Sequence, residues 1–210
     1  MYIQITTRCN MKCAHCCFSC TSKGVDMTYE IFKKSLDLGF EEISIGGGEP
    51  TLHQLFEKFI FYALGKSMDI WIATNGSDTE KSMALANMAK VGILRACLSL
   101  DRFHDPIDEK VVDAFKKSIF DDMCDLREIR EDAIVLNAGR AKLKKNQKKY
   151  NFVPKNDCPC NDIFVDPKGY VHGCGCKNSP IFGNVLYNNV VIPEYWIYGE
   201  CYKDQPKNKD

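Results

Sequence analysis

Ile43-Ser44-Ile45-Gly46-Gly47-Gly48-Glu49-Pro50 reads as a short buried strand that runs into three glycines and an acid. β-Branched residues suit a pleated strand, and a glycine run followed by proline ends it abruptly. Before it, Thr28 can cap a helix carrying Ile31, Phe32, Leu36 and Leu38, with Gly39 as its stop. After it, Leu52, Leu55, Phe56, Phe59, Ile60 and Ala63 recur at helical spacing up to Gly65. A strand between two helices is a βαβ pattern, and the alternation continues in both directions. Upstream, Tyr2-Ile3-Gln4-Ile5-Thr6 alternates as a strand. Downstream the reading gives a strand over 69–74, a helix over 78–90, a strand over 93–99 and a helix over 106–120. Ile134-Val135-Leu136-Asn137 is the last strand before the pattern stops. The fold class is therefore α/β with a parallel sheet, and functional groups are expected at the carboxyl ends of its strands.

The 210 residues suit one domain with a small appendage. With 28 Lys+Arg against 28 Asp+Glu, the chain has no global attraction for nucleic acid or for an anionic membrane. No apolar run approaches the roughly 18 residues of a spanning helix. Met1 to Ile5 lacks a basic region before an apolar stretch, so the expected compartment is the cytoplasm. In that reducing setting, the 12 cysteines point to metal binding or chemistry rather than disulfides. Cys9, Cys13, Cys16, Cys17 and Cys20 crowd the start, and Cys158, Cys160, Cys174, Cys176 and Cys201 the last third. Two separated metal sites fit that distribution. Cys97 reads as a small core residue.

Cys9-x3-Cys13-x2-Cys16 puts three thiolates on the loop after the first strand. Three thiolates can hold a four-iron cubane and leave one iron open, although spacing alone also admits zinc or reactive thiols. Cys9-Asn10-Met11-Lys12-Cys13-Ala14-His15-Cys16 resembles the cluster loop of the radical S-adenosylmethionine (radical SAM) enzymes. Gly47-Gly48-Glu49-Pro50, Thr74-Asn75-Gly76 and Ser99-Leu100-Asp101 resemble strand-end motifs of the same family, in the same order. The resemblance covers roughly residues 1–140. It implies a partial (β/α)6-type parallel barrel, abbreviated here because the interval from Asp101 to Asn137 is short. It also implies that Cys9, Cys13 and Cys16 ligate a [4Fe–4S] cluster whose open iron takes SAM. Gly47, Gly48 and Glu49 would serve the methionine part of SAM, and Asn75, Ser99 and Asp101 its polar groups; Asn137, at the end of another strand, is a candidate for positioning SAM or an anionic substrate group. His15 would pack against adenine. The implied reaction is reductive cleavage of SAM to a 5′-deoxyadenosyl radical, fed by an external one-electron reductant such as flavodoxin or ferredoxin. Cys17 and Cys20 fall outside the cysteine triad.

Nearer the other end, Ile163-Phe164-Val165, Asp166-Pro167-Lys168-Gly169 and Tyr170-Val171-His172 read as a β-hairpin. Cys158, Cys160, Cys174 and Cys176 bracket it, so their thiolates can converge on one site. Cys158-x10-Gly169-x4-Cys174 and Gly183-Asn184-Val185 resemble the SPASM and Twitch extensions, which hold auxiliary iron–sulfur clusters. A structural zinc is the alternative. The expected organisation is a radical SAM region over 1–140, a basic linker or surface helix over 141–156, a cysteine-rich extension over 157–202 and a disordered tail over 203–210. As for the substrate, Arg102 and Arg140 are candidate anion contacts, and Asp101 and His104 candidate acid/base groups. The chain starts at the first strand, which leaves no room for an amino-terminal peptide-recognition domain. The expected substrate is a small polar metabolite, such as a deazapurine or pterin-type heterocycle. A ribosomally made peptide is the alternative, ahead of a radical-installing activase or a non-catalytic metal-binding protein.

Overall fold

The structure, a computed structural model, describes residues 1–118, 125–132, 135–136, 138–143, 162–176 and 179–194. Strands β1 (Tyr2–Thr6), β2 (Glu42–Gly47), β3 (Asp69–Thr74), β4 (Arg95–Ser99) and β5 (Arg127–Arg130) are parallel neighbours. Helices α1 (Tyr29–Leu36), α2 (Phe56–Gly65), α3 (Thr79–Lys90) and α4 (Glu109–Phe115) connect them in turn. The period-two alternation sorts the strand residues into two faces. Ile3, Ile5, Ile43, Ile45, Ile70, Ile72, Ala96 and Leu98 form one core with Ile31, Phe32, Phe59, Leu85, Val111 and Phe115 from the helices. Caps fall where the residue types ask for them. Thr28 accepts from the Ile31 amide, Asp78 from the Lys81 amide and Asp108 from the Lys110 amide. Among the described residues, no helix is long and apolar enough to cross a membrane.

The structure adds to or changes the expectations in three places. Ile134 and Asn137 of the expected last strand lie outside the described residues, and Val135 and Leu136 belong to no named strand; an additional strand is Arg127–Arg130. Its charges hid it: Arg127 lies on the buried side only because Asp125 pairs with it at 2.9 Å and the Ala114 carbonyl accepts from it at 2.8 Å. Helix α4 starts at Glu109 rather than at Pro106, because Asp108 supplies the cap. The hairpin β6 (Phe164–Val165) and β7 (Tyr170–His172) forms as expected, but β6 also lies parallel to β1, with Tyr2 opposite Phe164. With β8 (Ile181–Asn184), the sheet order is β5-β4-β3-β2-β1-β6-β7-β8. The cysteine-rich extension is thus continuous with the main sheet. Most of the expected linker and the whole tail lie outside the described residues.

Candidate functional site

The cysteine loop leaves the carboxyl end of β1. Cys9, Met11, Cys13 and Cys20 form a small buried group, with Cys16, Phe18 and Phe103 against it. The Cys9 amide donates to the Thr21 carbonyl at 2.9 Å, which folds the loop back on its own root. Beside it, the Gly48 amide donates to Thr6 at 2.7 Å and the Glu49 amide to Arg8 at 2.8 Å. A Cβ on Gly48 would lie 2.2 Å from the Arg8 carbonyl oxygen and 2.9 Å from Cys9 Cβ. Only glycine lets β2 end this close to the loop. Burial pushes the Cys9 and Cys13 thiols upward, Cys13 to about 11. Cys16 instead goes down, chiefly because it shares a hydrogen bond with the Cys20 thiol, which the same bond holds protonated.

Glu49 is fully buried and ties two strand ends together. Its carboxylate accepts from Thr51 Oγ1 at 2.7 Å, Thr74 Oγ1 at 2.8 Å and the Asn75 amide at 2.7 Å. Burial raises its pKa against the pull of these donors. Asn75 Nδ2 in turn lies 3.9 Å from Cys9 Sγ and 3.2 Å from Asn10 Oδ1. Glu49→Ala would strand these buried donors, and a loss of about 2–4 kcal/mol is expected in urea unfolding. A loss under about 1 kcal/mol would remove Glu49 from this role.

At the end of β4, Ser99 stands in register with Arg130. Asp101 Oδ1 accepts from the Phe103 amide at 2.8 Å and lies 2.8 Å from His104 Nδ1. His15, from the cysteine loop, packs its ring 4.7 Å from Phe103 and 5.4 Å from His104, and burial lowers its pKa. Arg102 is exposed and stacks on Phe103 at 4.8 Å. Arg140, expected to reach an anionic substrate group, is turned to the cysteine loop. Its Nε donates to the Cys13 carbonyl at 3.0 Å, its Nη1 to the Cys20 carbonyl, and its amide to the Cys16 carbonyl at 2.9 Å. Gly139 precedes it at φ 54°, where a Cβ would lie 2.2 Å from the Cys17 carbonyl oxygen. The Cys174 and Cys176 thiols hydrogen-bond to each other. Cys158, Cys160 and Asn137 lie outside the described residues.

Two features escaped the sequence reading. Phe18 stacks on Tyr2 and on Phe164, with centroids 6.2 and 5.6 Å apart, and Gly175 lies against Phe18 and Phe164. This wedge joins the cysteine loop to the extension. On the sheet face opposite the helices, Cys97 hydrogen-bonds Glu128, which with burial pushes its thiol up to about 12, and Arg130 lies 5.6 Å over Trp71. The signal was present, because each of these residues alternates with an apolar one on its strand.

Three thiols at one strand end, a glycine approach beside them and an amide donor at Cys9 fit an iron–sulfur cluster, and the fold and site define a cofactor-dependent α/β enzyme. The family model for the Radical SAM superfamily matches residues 3–131, and the chain belongs to this family. Membership implies a [4Fe–4S] cluster and SAM. The chain is 30% identical over 123 residues to the GTP 3′,8-cyclase of Aliarcobacter butzleri, covering 52% of this chain and 36% of that protein. It is 32% identical over 108 residues to a tungsten-containing aldehyde ferredoxin oxidoreductase cofactor-modifying protein of Pyrococcus furiosus, covering 48% and 30%. It therefore spans about a third of the length of these relatives. Streptococcus suis SuiB bound to S-adenosylmethionine shares the fold at TM-score 0.54 and 14% identity, over 89% of this chain and 63% of that one. So does anSMEcpe with bound AdoMet and the Kp18Cys peptide, at TM-score 0.54 and 18% identity, over 88% and 77%.

Proposed function

We propose that this enzyme cleaves SAM reductively and uses the resulting radical to abstract hydrogen from a small polar metabolite of the purine, deazapurine or pterin kind. The observation that carries the reading is the gathering of Cys9, Cys13 and Cys16 beside the Glu49–Asn75 strut at the carboxyl ends of β1 to β3. When bound to those three thiolates, the cluster would supply the electron for SAM cleavage. Gly47 and Gly48 keep the floor free of side chains. Glu49 fixes the Asn75 backbone, and the Asn75 side-chain Nδ2 points a donor at Cys9 sulfur, which stabilises the thiolate form. His15 and Phe103 supply ring faces for a planar base, and Asp101 orients the His104 ring as an acid/base group. A heterocyclic substrate is supported by the relatives named GTP 3′,8-cyclase. The electron donor would be a flavodoxin- or ferredoxin-type protein. Cys174 and Cys176 would contribute to a second site, for an auxiliary cluster or zinc.

The test is anaerobic: reconstituted protein, SAM and dithionite, with 5′-deoxyadenosine measured by chromatography. Formation of 5′-deoxyadenosine is expected, stimulated by a purine nucleotide or pterin. Absence of the product from fully cluster-loaded protein refutes the activity. Stimulation by peptides alone replaces the substrate class with peptide modification.

A further inference from the structure

His15, Asp101 and His104 bring two imidazoles and a carboxylate together from two different strand ends. One donor atom from each lies within 4.8 Å of the others. All three side chains are largely buried, at 17%, 6% and 12% exposure. His104 Nδ1 meets Asp101 Oδ1 at 2.8 Å, so this half of the group is already paired. His15 is not. Its Nδ1 is buried with no hydrogen-bond partner among the described residues, and its Nε2 stops 3.6 Å short of Asp101 Oδ2. That separation exceeds a normal hydrogen bond. It matches the spacing of about 3.4 Å between two ligands that share one tetrahedral ion at bonds of about 2.1 Å. A cation in that gap meets His15 through Nε2 and Asp101 through a carboxylate oxygen, which shields the two groups from the surrounding burial.

We propose that His15 Nε2, Asp101 and His104 Nδ1 form a binding site for a divalent transition-metal ion, beside the cysteine loop that carries His15 and with donors separate from the three cysteine thiols. Two imidazoles and one carboxylate suit manganese, iron, cobalt, nickel or zinc, and they leave coordination positions open for water or a substrate oxygen. The loop positions support the set. Asp101 is fixed by the Phe103 amide, and His15 is held between Cys13 and Cys16, whose carbonyls Arg140 anchors. The ion would neutralise the Asp101 charge next to the cysteine loop and give the site a Lewis acid.

Mn2+ is the suitable probe, because it favours oxygen and nitrogen donors and leaves the thiols alone. Protein carrying its oxidised, EPR-silent cluster is titrated with Mn2+, and free ion is read from the EPR signal. The expected result is one tight Mn2+ per chain, with nitrogen modulation from imidazole in pulsed EPR of the unmutated protein. His104→Gln and Asp101→Asn, loaded to the same iron content, should weaken binding by more than about tenfold. No Mn2+ binding to the unmutated protein, binding without nitrogen modulation, or binding unchanged in both variants would overturn the site. The deoxyadenosine assay of the unmutated enzyme without added metal reads the proposed activity separately, so either conclusion can fail alone.

Discussion

Cys13→Ala abolishes 5′-deoxyadenosine formation and reduces the iron retained after reconstitution, whereas Cys17→Ala keeps both near the unmutated level: this is the expected pair of results. Cys13 is buried with Cys9 in the group that Cys16 joins, and a cubane held by three thiolates has no substitute for one of them. Cys17 belongs to a different environment. It is absent from the buried group that Cys9, Cys13 and Cys16 share, and burial pushes its thiol up to about 12. Iron, sulfide and 5′-deoxyadenosine measured on the same anaerobic samples decide the matter. Equal losses from both substitutions, in chains that fold alike by circular dichroism, would sink the ligand assignment.

Arg140→Ala should release the loop without touching any proposed ligand. The guanidinium holds the Cys13 and Cys20 carbonyls at once, and charged hydrogen bonds of this kind contribute about 1.5–3 kcal/mol each when buried. Partners that orient metal ligands typically cost 10–100-fold in metal affinity when removed, and a loss of about this size in cluster retention against a chelator is expected. Arg140→Lys should recover little, because an ammonium lacks the planar fork that reaches two carbonyls. Chelation half-times of the cluster absorbance provide the measurement. Retention unchanged in Arg140→Ala would return the residue to the substrate side of the site.

The sequence showed the parts whose causes are local. Alternation and caps announced β1 to β4 and α1 to α3, since the apolar faces of Ile3/Ile5, Ile43/Ile45 and Ile70/Ile72 are written in two-residue steps. The cysteine triad and the Gly47-Gly48-Glu49 turn were equally visible. What stayed hidden depends on partners far along the chain. β5 is charged at three of four positions, and only the Asp125–Arg127 pair makes its inner face acceptable to the core. The sheet opposite β2 is completed by β6, which carries no local mark of pairing with residue 2. Glu49 looked like a ligand for SAM, but its oxygens also bind Thr51, Thr74 and Asn75, an arrangement that needs the ends of two strands side by side.

The parallel pairing of β1 with β6 also has a consequence for the time course of folding. β1 carries the cysteine loop and lies between β2 and β6, so one of its two neighbours comes from residues 164–165. During synthesis from the amino terminus, β1 can pair with β2 early, yet its other edge stays open until the far end of the chain has emerged. Contacts of such high sequence separation are slow to form. The Tyr2–Phe18–Phe164 stack, which seats the loop against β6, is completed at the same late moment. Iron loading into a settled loop therefore belongs after chain completion, and nascent chains halted before residue 164 should acquire clusters poorly.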